Sequence, residues 1–126
     1  MSRSVLLQLA RDSIQEVLQA EVTINRDELI HKHPLLSEKI NTTINLYINN
    51  KLRGSSSSNN TDLSLIDDII LNAKKSAFSD KNFTPISTSE YLECEVELIL
   101  NTPDGVISDK DPSIIKTTTY KLEDEL

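Results

Sequence analysis

A run of four serines, residues 55–58, lies between a segment typical of a β-strand and one typical of a helix. A phosphate-binding loop at such a junction needs several glycines and usually a lysine opening the next helix, whereas this run has only Gly54 and no such lysine. A serine nucleophile needs a histidine base with an acidic orienter, but His31 and His33 belong to a different segment. From residue types alone, we interpret residues 55–61 as a mobile connecting loop.

Three glutamates offer a second candidate chemistry. Glu93, Glu95 and Glu97 alternate with apolar residues, so in a strand their carboxylates would share one face and could bind a metal or transfer protons. The same pattern is typical of an antiparallel sheet with one solvated face, which is the interpretation we favour. Cys94 would point to the other face, where a cysteine among apolar neighbours is typical of the core.

The two histidines form the motif His31-Lys32-His33. In an extended segment both imidazoles would face the same side, but no third ligand accompanies them. The chain has one cysteine, which excludes an intrachain disulfide and a cysteine cluster for zinc. We therefore predict no metal site, no cofactor and no catalytic residue from these motifs.

Two amphipathic helices are predicted to position the polar residues. Residues 4–20 repeat apolar side chains every three or four positions, with Arg11 expected off the apolar face. Residues 63–78 show the same period, with Asp67 and Asp68 mostly off the face, and predict a central buried helix. A further helical turn is expected over residues 24–30, ended by Pro34.

The remaining segments predict strands. Alternation over residues 44–48, followed by Asn49-Asn50 and residues 51–53, indicates a β-hairpin. The cleanest period of two covers residues 92–100. Further predictions are a capping box at Ser87 and Glu90, a turn over residues 101–105, a last strand over residues 114–122 and a frayed acidic end.

Length and charge limit the function classes. A chain of 126 residues with 37% hydrophobic residues suits one domain, residues 1–126, of the α+β class: a mainly antiparallel sheet packed against helices. A net charge of −7 argues against a nucleic-acid partner and against an anionic membrane surface. The N-terminal apolar run is interrupted by Arg11 and Asp12, so we expect an untargeted cytoplasmic protein.

Several segments together resemble the AMMECR-type domain, also called AmmeMemoRadiSam system protein A. Members of that family open with a helix like Leu6-Leu7-Gln8-Leu9-Ala10-Arg11 and carry Leu-Arg-Gly-Cys-Ile-Gly, where this chain has Leu52-Arg53-Gly54. The run from Asn72 to Asp80, then Asn82-Phe83-Thr84-Pro85-Ile86, and the strand around Glu95 to Leu98 continue the match. The resemblance covers about residues 5–109 and implies an α+β fold with helices on an antiparallel sheet.

Two departures bear on function. Ser55-Ser56-Ser57 replaces the family's Cys-Ile-Gly, which removes its thiol and second glycine, and the longer C-terminal portion is expected to be largely absent after Lys110. Arg53 keeps a charge able to hold a carboxylate or phosphate. The candidate binding residues that the resemblance brings together are Arg53, Gly54, Ser55, Asp80, Phe83 and Pro85.

The resemblance implies a non-catalytic accessory module that binds a protein partner of the Memo or radical-SAM type in a redox or modification pathway. The alternative is a small-ligand-binding protein or enzyme that uses Arg53 and Ser55. A second copy of the chain is a further candidate partner, because a shortened C-terminal portion is expected to expose apolar sheet surface.

Overall fold

A computed structural model of the chain describes residues 3–59 and 62–114. Helices and strands are mixed along this part of the chain, which has the predicted α+β class. A 3-10 turn covers Pro34–Ser37. The helices and strands are, in chain order, α1 (Val5–Gln19), α2 (Arg26–Lys32), β1 (Asn41–Ile48), β2 (Lys51–Ser57), α3 (Leu65–Phe78), α4 (Thr88–Glu93), β3 (Glu95–Thr102) and β4 (Gly105–Asp111).

The four strands form one antiparallel sheet in the order β2-β1-β3-β4. Alternate residues of β1 and β3 are buried, and they contribute to one core with the inner faces of α1 and α3. The opposite residues of these strands are half-buried, except for the exposed Asn101. We call that second side of the sheet the open face; it includes Asn45, Tyr47, Glu95 and Glu97.

The predicted helices and hairpin are confirmed. The hydroxyl of Ser4 accepts a hydrogen bond from the Leu7 N–H and caps α1. Asn49 and Asn50 join β1 to β2 with φ values of 51° and 64°, the left-handed pair that a tight hairpin turn needs. The predicted capping box at α4 is present, since Ser87 and Glu90 bond each other's backbone N–H.

The prediction of a loop from residue 55 onward was wrong for residues 55–57, which continue β2. Ser55 pairs with Asn45, and Ser56 pairs with Ile44. The serine hydroxyls also find side-chain partners, Asn45 Oδ1 at 2.6 Å and Asn72 Oδ1 at 2.8 Å. Cross-strand pairing and these bonds outweigh the turn preference of serine.

The predicted strand over residues 92–100 begins later than expected. Leu92 and Glu93 belong to α4, so the expected row of three glutamates contains only Glu95 and Glu97. The predicted turn is present at positions 103–104, but β4 was missed because its residues are exposed as far as Lys110. Apart from Ile114, the strand predicted over residues 114–122 lies outside the described residues, as does the acidic end.

Two charged residues expected off the apolar faces are buried instead. Arg11 is 1% exposed and Asp68 is fully buried. Each has several hydrogen-bond partners, which is the condition for burying a charge. Within the described ranges, no helix has the length and apolar character needed to cross a membrane.

Candidate functional site

A β-bulge sets the position of Arg53. Leu46 pairs with Gly54 while the next residue of β1, Tyr47, pairs with Leu52, so Arg53 is the extra residue of β2. A bulge of this kind redirects a side chain and is common beside binding sites. Here it directs the guanidinium of Arg53 towards α4 and the segment before it.

The Arg53 guanidinium is held on three sides. Its Nε and Nη2 donate to the two carboxylate oxygens of Glu90, at 2.8 and 3.2 Å, and Nη2 also donates to the Thr84 carbonyl at 2.9 Å. The ring of Phe83 lies 5.5 Å from the guanidinium carbon, within the range of a cation–π contact. The side chain of Arg53 is 12% exposed and that of Glu90 is 36% exposed.

This ion pair shifts the ionisation of both partners. The hydrogen bond from Arg53, followed by that from the Ser87 N–H, lowers the pKa of Glu90 to about 2. The hydrogen bond to Glu90 is also the largest cause of the raised pKa of Arg53. Both groups are therefore charged at neutral pH, and their charges largely cancel.

Asp80 joins the segment after α3 to the edge of β2. Its Oδ2 accepts a hydrogen bond from the Ser55 N–H at 2.9 Å, and its Oδ1 accepts one from the Asn82 N–H at 2.9 Å. Residues 80–84 are thereby held beside Arg53. Pro85 follows as an exposed residue.

Gly54 has a steric role. A Cβ atom at this position would lie 2.0 Å from the carbonyl oxygen of Ser76, near the end of α3. Only glycine therefore allows β2 to approach α3 this closely. Of the six candidate residues, five are brought into one corner by hydrogen bonds, packing or ring contact, and Pro85 lies next to them in sequence; we call these six residues and Glu90 the Arg53 corner.

The hydroxyl of Ser55 links this corner to the open face through hydrogen bonds. It donates to Asn45 Oδ1 at 2.6 Å, and Asn45 Nδ2 donates to Glu97 Oε1 at 2.9 Å. The Tyr47 hydroxyl donates to the same Glu97 oxygen at 3.1 Å. Burial, followed by the bond to Glu97, raises the pKa of Tyr47.

Sequence reasoning did not select Asn45, Tyr47 or Glu97 as site residues. The sequence does contain one indication of them: the period of two in β1 places Asn45 and Tyr47 together on the side away from the apolar residues. Their pairing with Glu97 and Glu95 depends on the β1–β3 register, which the sequence does not reveal. A row of four paired residues thus crosses the sheet: Ser55, Asn45, Glu97 and Lys110.

The other sequence candidates lie away from this corner or in the core. His31 belongs to α2 and His33 follows its end, so the two residues do not lie in one extended segment. In residues 3–59 and 62–114, no group of three or more potential metal-ligating side chains is found. Cys94 is buried as predicted, and burial raises the pKa of its thiol to about 11, which disfavours the reactive thiolate.

Comparisons with known proteins agree with this architecture. Among solved structures, the chain is similar to the uncharacterized protein PH0010 from Pyrococcus horikoshii, with 30% sequence identity and a TM-score of 0.68. The alignment covers 78% of this chain and 50% of that chain, so the present chain matches about half of that protein's length. A search of curated proteins found no match. The family model described as AMMECR1 matches residues 7–119, and the chain therefore belongs to the AMMECR1 family.

Proposed function

We propose that this AMMECR1 domain is a non-catalytic accessory module that docks a protein partner at the Arg53 corner. Arg53, Phe83 and Glu90 combine a half-exposed aromatic ring with a bidentate ion pair. Arginine and aromatic residues are the types that most often carry binding energy in protein interfaces. The bulge and the Asp80 hydrogen bonds hold these groups before any partner arrives, which reduces the entropy cost of docking.

The bonding of Ser55 is the observation that carries the non-catalytic assignment. Its hydroxyl donates to the amide oxygen of Asn45, which cannot accept the proton as a base at neutral pH. A serine without a base is a weak nucleophile. In the described part of the chain, both histidines lie in or beside α2, outside this corner.

The partner class follows from the family resemblance. Members are associated with Memo-type proteins and radical-SAM enzymes, so we propose a partner of one of these two types in a redox or modification pathway. This step depends on association rather than on the chemistry of the corner. An anionic group on the partner would compete with Glu90 for the guanidinium of Arg53.

Capture from a native lysate under reducing, anaerobic conditions tests the proposal. We expect the wild-type domain to retain a redox or radical enzyme, identified by mass spectrometry, and Arg53→Ala and Phe83→Ala to lose it. The matched control is Arg26→Ala, because Arg26 forms a similar bidentate pair with Asp67, at 2.9 and 2.7 Å, far from the corner in sequence. Circular dichroism must show that all variants are folded.

The outcomes test the docking surface and the partner class separately. Loss in both corner variants but not in Arg26→Ala supports docking at the corner. Unchanged capture in all three variants would exclude the corner as the docking surface. Recovery of a partner unrelated to Memo or radical-SAM proteins would contradict the proposed pathway. It would still support docking of a protein at the corner.

A small-ligand-binding protein or enzyme is the second candidate function. It is favoured by the continuous hydrogen-bonded series Asp80–Ser55–Asn45–Glu97–Tyr47, which presents half-buried polar groups beside Arg53. Thermal-shift screening against small carboxylates and phosphates distinguishes it. A stabilisation that is lost in Arg53→Ala and in Ser55→Ala supports a ligand site there.

A cytoplasmic location is also part of this proposal. It is supported by the single, buried cysteine, which suits a reducing compartment. Cell fractionation of a tagged protein is the measurement that decides it.

A further inference from the structure

The two edge strands of the sheet, β2 and β4, differ in how far other residues cover them. Along β2, the Ser55 N–H is bonded by Asp80, and Arg53 is engaged by Thr84 and Glu90. Along β4, every residue from Gly105 to Lys110 is exposed. Sheet edges with unpaired backbone groups attract further strands unless something covers them.

The backbone of β4 presents unpaired groups at this edge. The Lys110 N–H is bonded by the neighbouring Asp109 carboxylate at 2.9 Å, so it points away from β3. Because antiparallel residues alternate in direction, the N–H and C=O groups of Val106 and Ser108 also point away from β3. Within residues 3–59 and 62–114, these two residues make no hydrogen bond beyond the β3–β4 pairing.

The side chains of this edge are partly apolar. Val106 is 69% exposed and Ile107 is 59% exposed, although both belong to a regular strand. Ile107 pairs with the buried Leu100, so it continues the apolar side of the sheet beyond the helices. A strand added at β4 would cover both side chains.

We propose that β4 pairs with β4 of a second copy of this chain, antiparallel about a twofold axis at Ile107. This inference goes beyond the docking function, because it uses the opposite edge of the sheet. In this register Ile107 faces Ile107 of the second copy, and Val106 faces Ser108 of that copy. Lys110 then lies across from the β3–β4 turn of the second copy, where Asp104 precedes β4, twice by symmetry, which brings opposite charges together.

Neighbouring registers lack this complementarity. The side chains of facing residues must share a side of the sheet, so the register can shift only in steps of two. One shift places Asp109 opposite Ile107 and Lys110 opposite Val106, setting charges against apolar groups. The other places Ile107 opposite Gly105 and moves Lys110 away from Asp104. The self-complementary charge pattern therefore favours a second copy over an unrelated strand.

Sedimentation velocity over a concentration series, from low micromolar to several hundred micromolar, tests the proposal. We expect the wild type to shift from monomer to dimer as concentration rises. Ile107→Lys should remain monomeric, because two lysines would face each other at the axis. The matched control is Val22→Lys, at an 86% exposed position between α1 and α2, which should dimerise like the wild type.

A charge exchange tests the register itself. Asp104→Lys should weaken dimerisation about tenfold, because it sets like charges opposite each other at two symmetric positions. Adding Lys110→Asp should restore most of the affinity. Lys110→Asp also removes a contact within the chain, because Lys110 lies 3.5 Å from Glu95. Asp104→Lys cannot replace that contact. Recovery of dimerisation in the double variant therefore reports on contacts between the two copies.

Two results would overturn the proposal. A wild type that stays monomeric over the whole concentration series excludes self-association. A dimer that persists in Ile107→Lys excludes β4 as its interface.

Discussion

The ion pair between Arg53 and Glu90 sets how the Arg53 corner responds to acid. Arg53 lowers the pKa of Glu90 to about 2 in the folded protein, whereas an unfolded glutamate titrates near 4.5. Because the folded pKa is the lower one, the stabilisation is fully present above about pH 5. It is lost as pH falls towards 2, since protonation must then break the ion pair.

Glu90→Gln is expected to remove this part of the pH dependence. Since the Glu90 side chain is 36% exposed, solvent screening limits its contribution to about 1 kcal/mol or less. The measurement is the free energy of unfolding by urea between pH 2 and pH 7. The difference between wild type and variant should be largest at neutral pH and mostly lost by pH 2.

Glu93→Gln is the control for that experiment, because Glu93 is exposed on the same short helix. It should follow the wild-type curve. A Glu90→Gln curve parallel to the wild type throughout this range would show that Arg53 does not stabilise the charged form of Glu90.

At the scale of elements, apolar periodicity was sufficient for the two long helices and the first hairpin. These depend on local signals: the amphipathic period in α1 and α3, the Ser4 cap and the Asn49-Asn50 turn. The capping box that begins α4 was also evident from the sequence, and α4 ends at Glu93, just before β3 begins at Glu95.

The errors have a shared physical cause, which is that pairing between distant segments decided the local structure. Residues 55–57 are strand because β1 and α3 provide partners for them, and β4 is strand because β3 pairs with it. For the site, the family resemblance supplied Arg53, Asp80 and Phe83. The bulge that directs Arg53 and the contact with Glu90 depend on register, which one sequence does not contain.

The buried polar cluster beneath β1 shows how a charged residue joins these elements. Asp68 of α3 accepts hydrogen bonds through Oδ2 from the Thr42 N–H at 2.9 Å, the Thr42 hydroxyl at 2.6 Å and the Ser58 hydroxyl at 2.7 Å. Asn72 adds bonds to Thr42, including one of 2.9 Å to its hydroxyl. The start of β1, the residue after β2 and α3 are thus joined at one carboxylate.

Asp68→Ala is therefore expected to destabilise the fold strongly. It leaves the buried Thr42 hydroxyl and the half-buried Ser58 hydroxyl without their acceptor, at a cost of about 3 kcal/mol. Its neighbour provides the comparison: Asp67 is partly exposed and pairs with Arg26 at the surface, so Asp67→Ala should cost about 1 kcal/mol or less. Urea unfolding of both variants gives the values, and equal losses would contradict the role assigned to Asp68.

At the scale of the whole molecule, Arg11 connects α1 with the far end of the sheet. Its Nε donates to Asp111 at the end of β4 at 2.6 Å, and its Nη2 donates to the carbonyls of Cys94 and Pro112 at 2.8 and 3.0 Å. The guanidinium carbon also lies 5.2 Å from the centre of the buried Tyr91 ring. Since the rest of β4 is exposed, this contact attaches the edge strand to the helical layer.

Replacing Arg11 should therefore loosen β4 more than it disturbs the core. We expect Arg11→Met, which keeps most of the volume but no donor, to lower the free energy of unfolding by about 3 kcal/mol. Arg3→Met is the matched control, because Arg3 Nε lies 3.0 Å from the same Asp111 oxygen but its side chain is 28% exposed, so its loss should be far smaller. Hydrogen exchange should accelerate at the β4 amides in Arg11→Met before it accelerates in β1. Equal exchange in the two variants would mean that β3 pairing alone holds the edge strand, and the dimer edge proposed at Ile107 would then not depend on α1.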